Sequence, residues 1–95
     1  MVKIVWSQLA KDDLKSIHDY IASESKVYAN SMIGKILYRV RQLYNFPQSG
    51  RIVPEFGQKT IRELIEGNYR IVYQIHPNHI GIARIHHTAR LLKEI

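Results

Sequence analysis

The second half of the chain carries charged and imidazole side chains that are suited to binding or cleaving a phosphodiester. Most are arginines, whose planar guanidinium makes two parallel hydrogen bonds to a phosphate. A carboxylate and an imidazole beside such arginines can take a proton from a ribose 2′-hydroxyl and give one to the leaving oxygen. The residues concerned are Arg51, Glu55, Lys59, Arg62, Arg70, Arg84, His86, His87 and Arg90. Their types permit metal-independent RNA cleavage, and they equally permit simple binding of a polyanion.

The alternative role for each arginine is an ion pair at the protein surface. Glu55, Glu63 and Glu66 lie in the same part of the sequence and are available as partners. Such pairs are common and contribute little to stability. For any one arginine considered alone, surface pairing is the simpler interpretation, so composition does not decide between a structural and a chemical role.

The histidines form no pattern typical of a metal site. His76 and His79 flank a Pro-Asn turn, whereas His86 and His87 are adjacent. Since neighbouring residues on a strand point to opposite faces, His86 and His87 should not both bind one ion. The chain has no cysteine, which excludes disulfides, thiol catalysis and cysteine-based zinc sites. Its glycines match neither a P-loop nor a dinucleotide-binding pattern. We therefore expect neither a metal ion nor a cofactor.

Length and composition predict one globular domain spanning residues 1–95. Apolar residues make up 45% and charged residues 23% of the chain, which is ordinary for a folded protein and wrong for a disordered one. No stretch approaches the roughly 18 apolar residues of a membrane span, and residues 1–20 lack the apolar core of a signal peptide. We expect a cytoplasmic protein that does not bind membranes. The net charge of +6 suggests a polyanionic partner, either nucleic acid or an acidic protein, but it fits a merely soluble basic protein equally well.

Hydrophobic spacing predicts two helices after an N-terminal strand at residues 2–6. Apolar residues recur in steps of three and four along residues 10–21 and again along residues 27–44, which places them on one face of each helix. Ser7 can cap the first helix with its hydroxyl, and Pro47 prevents the second from continuing. The short break between the two helices indicates an antiparallel helical hairpin.

The rest of the chain predicts three strands, at residues 60–65, 69–75 and 80–86, after a loop at residues 47–58. Strands joined by short turns pair antiparallel, because parallel pairing needs a long crossover. The predicted order is β-α-α-β-β-β, an α+β domain in which the helical hairpin packs on one face of a small antiparallel sheet. We expect the other sheet face, with some of the arginines, to be available to a ligand.

Several segments resemble the RelE/ParE superfamily, the toxins of type II toxin–antitoxin modules. VWSQLAKDDLKSIHDYI is similar to that family's first strand and helix, with the pattern A-x-x-D-L-x-x-I-x-x-Y-I. FPQSGRIVPEF resembles its P-x-x-G-R-x-V-P-E linker. IRELIEGNYRIVYQI and IARIHHTARLL resemble the R-E-L, Y-R-I-x-Y and R-x-x-H-x-x-R signatures of its last three strands. The match runs in the right order along nearly the whole chain and implies the same fold as the periodicity.

The resemblance implies a small toxin held inactive by an antitoxin encoded beside it, which wraps its C-terminal part over the toxin. Operator DNA is then contacted only through the antitoxin. ParE-like members poison DNA gyrase, whereas RelE-like members cut mRNA in the ribosomal A site. The linker and strand motifs are more similar to ParE-like members, so gyrase inhibition is favoured over ribosome-dependent mRNA cleavage. A third possibility is an inactive or regulatory member. In an inhibitor, basic surface such as Lys35, Arg39 and Arg41, or the C-terminal segment, is expected to matter more than catalytic groups.

The nuclease alternative implies specific roles by similarity to YoeB-like enzymes. Glu55, in its Pro-Glu context, matches their general base, and Arg70, in the Y-R-I motif, matches the arginine that holds the scissile phosphate. His87, or the adjacent His86, lies near their C-terminal acid histidine. The residues expected to bind phosphate or a partner are Arg51, Lys59, Arg62, Arg84, His86 and Arg90. In a ParE-like member, by contrast, Glu55 and Arg70 are expected to form a structural pair.

Overall fold

The computed structural model describes residues 2–89 together with 92 and 93. Its elements follow the predicted order, with a short 3₁₀ turn after the second helix and one additional short strand. They are β1 (Lys3–Trp6), α1 (Gln8–Ala22), α2 (Lys26–Arg41), the 3₁₀ turn (Gln42–Tyr44), β2 (Arg51–Ile52), β3 (Ile61–Glu66), β4 (Tyr69–Ile75) and β5 (His79–His87). Within the described residues, neither helix has the length and apolar character needed to cross a membrane.

Serine residues start both helices. The hydroxyl of Ser7 accepts a hydrogen bond from the backbone N–H of Ala10, and the hydroxyl of Ser25 accepts one from Tyr28. Each serine thereby satisfies one of the N–H groups that the first turn of a helix leaves without a partner. Ser25 follows α1 by only three residues, so the chain reverses tightly and the two helices pack side by side as the predicted hairpin.

The five strands form one mixed sheet in the order β1-β5-β4-β3-β2. The pairings β3–β4 and β4–β5 are antiparallel, which confirms the predicted meander. β1 extends the sheet by pairing parallel to β5, from Lys3 opposite His79 to Trp6 opposite Ile82. β2 lies within the segment predicted as a loop and pairs antiparallel with β3. The α+β class and the helical hairpin on one sheet face are confirmed, and the sheet is mixed because the first strand, β1, lies parallel to the last strand, β5.

Apolar side chains lie on both faces of the sheet. The main core lies between the helices and the inner face, where Ile36 of α2 and Ile71 and Tyr73 of β4 are fully buried. A smaller cluster lies on the outer face and comprises Val53, Ile61, Val72 and Leu92, with Phe56 packed against it. The outer face is therefore partly covered by the segment after β2 and by Leu92 near the C-terminus.

The buried side chain of Tyr73 fixes the segment that precedes β2. Its hydroxyl donates to the carbonyl oxygen of Pro47 at 2.9 Å and accepts from the N–H of Gly50 at 2.9 Å. A Cβ on Gly50 would lie 2.6 Å from that hydroxyl and 2.6 Å from the carbonyl oxygen of Glu63. Only glycine fits this approach, so the Gly-Arg sequence sets where the chain enters β2.

Candidate functional site

Glu63 and Arg70 lie on the outer face of the sheet, away from the helices. Along β3, Glu63 shares its face with Ile61, and along β4, Arg70 shares its face with Val72, because side chains two apart on a strand point the same way. Ile61 and Val72 belong to the outer apolar cluster. The antiparallel register sets Glu63 opposite Val72, and so places Glu63 close to Arg70.

Two arginines and two glutamates form a continuous chain of ion pairs on this face. Arg70 donates from Nε to Glu63 Oε1 at 2.6 Å and from Nη1 and Nη2 to the two oxygens of Glu55 at 2.6 and 2.8 Å. The other oxygen of Glu63 accepts from Nε of Arg51 at 2.6 Å. We call these four residues the outer-face network. The fork-to-carboxylate geometry between Arg70 and Glu55 is the strongest form of such a pair.

The centre of the outer-face network is shielded from water. The side chain of Glu63 is 0% exposed and that of Arg70 is 6% exposed, whereas Glu55 retains 19% and Arg51 65%. Two ionised groups are tolerated at this depth because each is paired and hydrogen-bonded. Arg51 is therefore the most exposed member of the network, and the contact between Glu63 and Arg70 is the most protected from solvent.

The network keeps Glu55 ionised. The hydrogen bond from Arg70, reinforced by one from the backbone N–H of Leu92 at 2.9 Å, lowers the pKa of Glu55 from 4.5 to about 2. The same contact raises the pKa of Arg70, chiefly through its hydrogen bond to Glu55. A general base works best when its pKa is near the operating pH. Glu55 is thus a poor proton acceptor in this arrangement, and the guanidinium of Arg70 is occupied by carboxylates.

The structure brings Glu55 and Arg70 together as predicted but places His87 elsewhere. His86 is the histidine opposite Arg70 in the register between β4 and β5, and so lies on the outer face. His87 is opposite Tyr69 and packs its ring edge-on against that ring, with centroids 5.7 Å apart. Its Nδ1 accepts from the backbone N–H of Ala89. The predicted trio of Glu55, Arg70 and His87 is therefore divided between two faces of the sheet, which does not form the assigned catalytic arrangement.

Two further predicted phosphate ligands hold parts of the fold together. The guanidinium of Arg62 donates to the backbone carbonyl oxygens of Lys59 and Gly50, both at 2.9 Å. Arg84 donates from Nε and Nη2 to the carboxylate of Asp13 in α1, at 2.8 and 3.1 Å. Asp13 also accepts the backbone N–H of Ile85 and so covers the free edge of β5 beyond β1.

The remaining predicted ligands have different surroundings. Lys59 is exposed, and Arg51 directs most of its side chain to solvent while its Nε is bonded to Glu63. Arg90 lies outside the described residues. Across residues 2–89, 92 and 93, no group of three or more His, Asp or Glu side chains is arranged to hold a metal ion. Of the predicted ligands that the structure describes, Arg51 and Lys59 are therefore the cations that face solvent, and Arg51 does so from the outer face.

Sequence reasoning assigned Glu63 no more than a possible surface pairing, and the structure makes it the most buried member of the network. The burial of Glu63 could have been predicted from its position in the sequence. It lies two residues from Ile61 and one from Leu64, in a strand with apolar residues on both faces. A carboxylate in such a strand needs a cationic partner on its own face. Arg70, seven residues on and across a tight turn, is that partner.

Comparison with known proteins gives a consistent family assignment. Residues 4–92 match the family model described as the ParE toxin of the type II toxin–antitoxin system parDE. Toxin RelE2 of Caulobacter vibrioides is 34% identical over 92 residues, which cover 96% of this chain and 100% of that protein.

Solved structures share the fold at lower sequence identity. The chromosomal ParDE system from P. aeruginosa superposes with a TM-score of 0.76 at 23% identity, covering 92% of this chain and 96% of that one. The E. coli DinJ-YafQ complex superposes with a TM-score of 0.68 at 15% identity, covering 97% of this chain and 99% of that one. The helical hairpin and mixed sheet are thus an architecture already seen in toxin–antitoxin complexes.

Proposed function

Because this chain belongs to the ParE toxin family of type II toxin–antitoxin systems, we propose that it is a stoichiometric inhibitor of DNA gyrase and not a ribonuclease. The observation that carries the proposal is the engagement of Arg70 by Glu55 and Glu63. An inhibitor that acts by binding needs no free base and no free phosphate ligand. The outer-face network then has a structural purpose, which is to join β4 to β3 and to the segment after β2.

The nuclease alternative would require the network to be dismantled. A phosphate could reach Arg70 only by displacing Glu55 from a bidentate contact, since the arginine side chain is 6% exposed. That displacement would have to precede catalysis, because the contact with Arg70 is what lowers the pKa of Glu55 to about 2 and makes it a poor base. A general acid on the same face would have to be His86, because His87 packs against Tyr69 on the other face.

A toxin of this family requires neutralisation, so the proposal includes a cognate antitoxin. Relatives of this fold are known as complexes, including the ParDE system and the DinJ-YafQ complex. An antitoxin segment with acidic and apolar residues would complement the net charge of +6. Because DNA gyrase is an intracellular enzyme, the toxin acts in the cytoplasm, where the antitoxin must accompany it.

The test is induction of the toxin in bacterial cells, followed by pulse labelling of DNA and protein synthesis. The proposal predicts arrested DNA replication, filamentation and DNA damage while translation continues at first. The same cells provide RNA for mapping the ends of mRNA, which should show no new cuts in frame with codons. A prompt fall in translation with in-frame mRNA cuts would overturn gyrase inhibition and establish ribosome-dependent cleavage.

Variants separate the two alternatives further. Glu55→Gln keeps the shape of the side chain but removes its charge, so a folded Glu55→Gln protein should retain toxicity as an inhibitor and lose it as a nuclease. Glu66→Gln is the matched control, because Glu66 makes a longer contact of 3.8 Å to Arg39 at the end of β3. Folding of each variant is checked by its circular dichroism and thermal transition. Growth without arrest, by a toxin that accumulates folded, would indicate an inactive or regulatory member and contradict the proposal.

A further inference from the structure

A small cavity lies at the tip of the helical hairpin, on the face of the sheet opposite the outer-face network. Its volume is about 320 Å³, and it is formed where the α1–α2 turn meets the β3–β4 turn. Three tyrosines line it, Tyr20 from the end of α1, Tyr28 from the start of α2 and Tyr69 from β4. Glu24 lines it as well. The volume lies near the lower end of the range for small-ligand sites and suits a single side chain.

Two of the three lining tyrosines are largely exposed, and the third is half-buried. Tyr20 is 78% and Tyr28 57% exposed, so both side chains are accessible from solvent. Tyr69 is half-buried and forms the inner wall. The β3–β4 turn contributes Asn68 to the lining, and at the adjacent Gly67, which has a positive φ of 57°, a Cβ would lie 3.3 Å from the methyl carbon of Met32, another lining residue.

The charge of the cavity is opposite to that of the protein. Its described lining contains one carboxylate, Glu24, and no lysine, arginine or histidine, although the chain has a net charge of +6. The cavity lies between the C-terminal end of α1, which carries a partial negative charge, and Ser25 at the N-terminal end of α2, which carries a partial positive one, so the two helix ends together favour neither sign. Aromatic faces carry negative electrostatic potential and attract cations.

We propose that this cavity is an aromatic cage that binds the cationic side chain of an arginine or lysine presented by a protein partner. The cation would lie against the faces of Tyr20, Tyr28 and Tyr69, with Glu24 supplying the opposite charge. Such a site lets a basic protein recognise a basic residue, which the rest of its surface would repel. The inference does not depend on the identity of the toxin's target, because it rests only on the geometry and charge of the cavity.

The test uses the whole chain, labelled with ¹⁵N, and four capped amino acids as probes. N-acetyl-arginine amide is compared with its uncharged analogue N-acetyl-citrulline amide, and N-acetyl-lysine amide with N-acetyl-norleucine amide. Each cationic probe should shift the backbone amides of Ser25, Gly67 and Asn68, and should bind about three- to tenfold more tightly than its uncharged analogue. Equal binding of charged and uncharged probes, or amide shifts confined to other parts of the chain, would overturn the cage.

Substitutions assign the binding to the cavity. Tyr20→Leu and Glu24→Gln should each weaken binding of the cationic probes by about three- to tenfold. Tyr38→Leu and Asp12→Asn are the matched controls, since Tyr38 is 61% exposed on α2 and Asp12 is exposed on α1, and neither lines the cavity. Both controls should bind as the unsubstituted chain does. A loss of binding that is as large in the controls as in Tyr20→Leu would contradict the assignment.

Discussion

The guanidinium of Arg70 donates a hydrogen bond from each of its terminal nitrogens to the carboxylate of Glu55, at 2.6 and 2.8 Å. Glu55 also accepts the backbone N–H of Leu92 at 2.9 Å, so one carboxylate joins strand β4 to the segment after β2 and to the C-terminal region. Leu92 is itself buried in the outer apolar cluster. The pair therefore connects the elements that cover the outer face of the sheet.

Removal of the charge at Glu63 should be strongly destabilising. Glu63→Gln leaves Arg70 with a weaker partner at a side chain that is 0% exposed, and breaking a buried ion pair costs about 3–5 kcal/mol. Glu66→Gln, on the same strand, removes a partly exposed contact of 3.8 Å and should cost less than about 1 kcal/mol. Urea unfolding of the two variants measures the difference. Equal costs would show that the burial of Glu63 contributes nothing to the strength of its pairs.

The stability that Glu55 contributes should depend on pH in a defined direction. Its pKa is about 2 in the folded chain and 4.5 ordinarily, so the folded state binds fewer protons than the unfolded state between these values. The contribution is fully present above pH 4.5 and is lost as the pH falls toward 2. The free energy of unfolding of Glu55→Gln should therefore lie about 1–3 kcal/mol below that of the unsubstituted chain at pH 7. The difference should shrink on acidification, and a gap that stays constant down to pH 3 would contradict the pairing.

Two glycines should respond in opposite directions to the same substitution. Gly50→Ala places a Cβ 2.6 Å from the hydroxyl of Tyr73 and from a backbone carbonyl oxygen, and overpacking of this kind costs about 1–3 kcal/mol. Gly34→Ala places a Cβ in open space on α2, where alanine is favoured over glycine by about 0.5–1 kcal/mol. Thermal unfolding should show a lower midpoint for the first variant and a higher one for the second. A Gly50→Ala protein as stable as the unsubstituted chain would show that Tyr73 does not fix this segment.

Basic side chains on α2 should contribute to target binding without contributing to stability. Lys35 and Arg41 are exposed, whereas Arg39 donates to the carbonyl oxygen of Ile65 and contacts Glu66. Lys35→Ala combined with Arg41→Ala should raise the concentration needed for half-inhibition of gyrase and reduce its dependence on salt. The free energy of unfolding should stay within about 0.5 kcal/mol of that of the unsubstituted chain. Undiminished inhibition at all salt concentrations would place the contact surface elsewhere.

The elements of the fold were predictable because their signals are local. The spacing of apolar residues by three and four positions predicted both helices, and the alternation from Tyr69 to Ile75 predicted the central strand. The parallel pairing of β1 with β5 was not predicted, because it joins residues about 76 positions apart and leaves no periodic trace. β2 has only two residues, which is too short for alternation to show.

The candidate site was harder to predict because it depends on strand register. Simple alternation along β5 from Ile80 and Ile82 would turn His86 inward and His87 outward. The register shifts at Ala83, which has no partner in β4. This bulge exchanges the faces of the sheet to which His86 and His87 point. The pairing of Glu55 with Arg70 was foreseen as one alternative, but the burial of Glu63 beside them required the register of β3 against β4.

The most direct test of the account is DNA supercoiling by purified gyrase in the presence of purified toxin, with ribosomes absent. The account predicts that inhibition by the unsubstituted chain and by folded Glu55→Gln is complete near equimolar toxin and gyrase, and that added antitoxin relieves it. In parallel, purified ribosomes loaded with mRNA should leave the message uncut. Gyrase activity unaffected by excess toxin, together with mRNA cleavage that Glu55→Gln abolishes, would contradict the account.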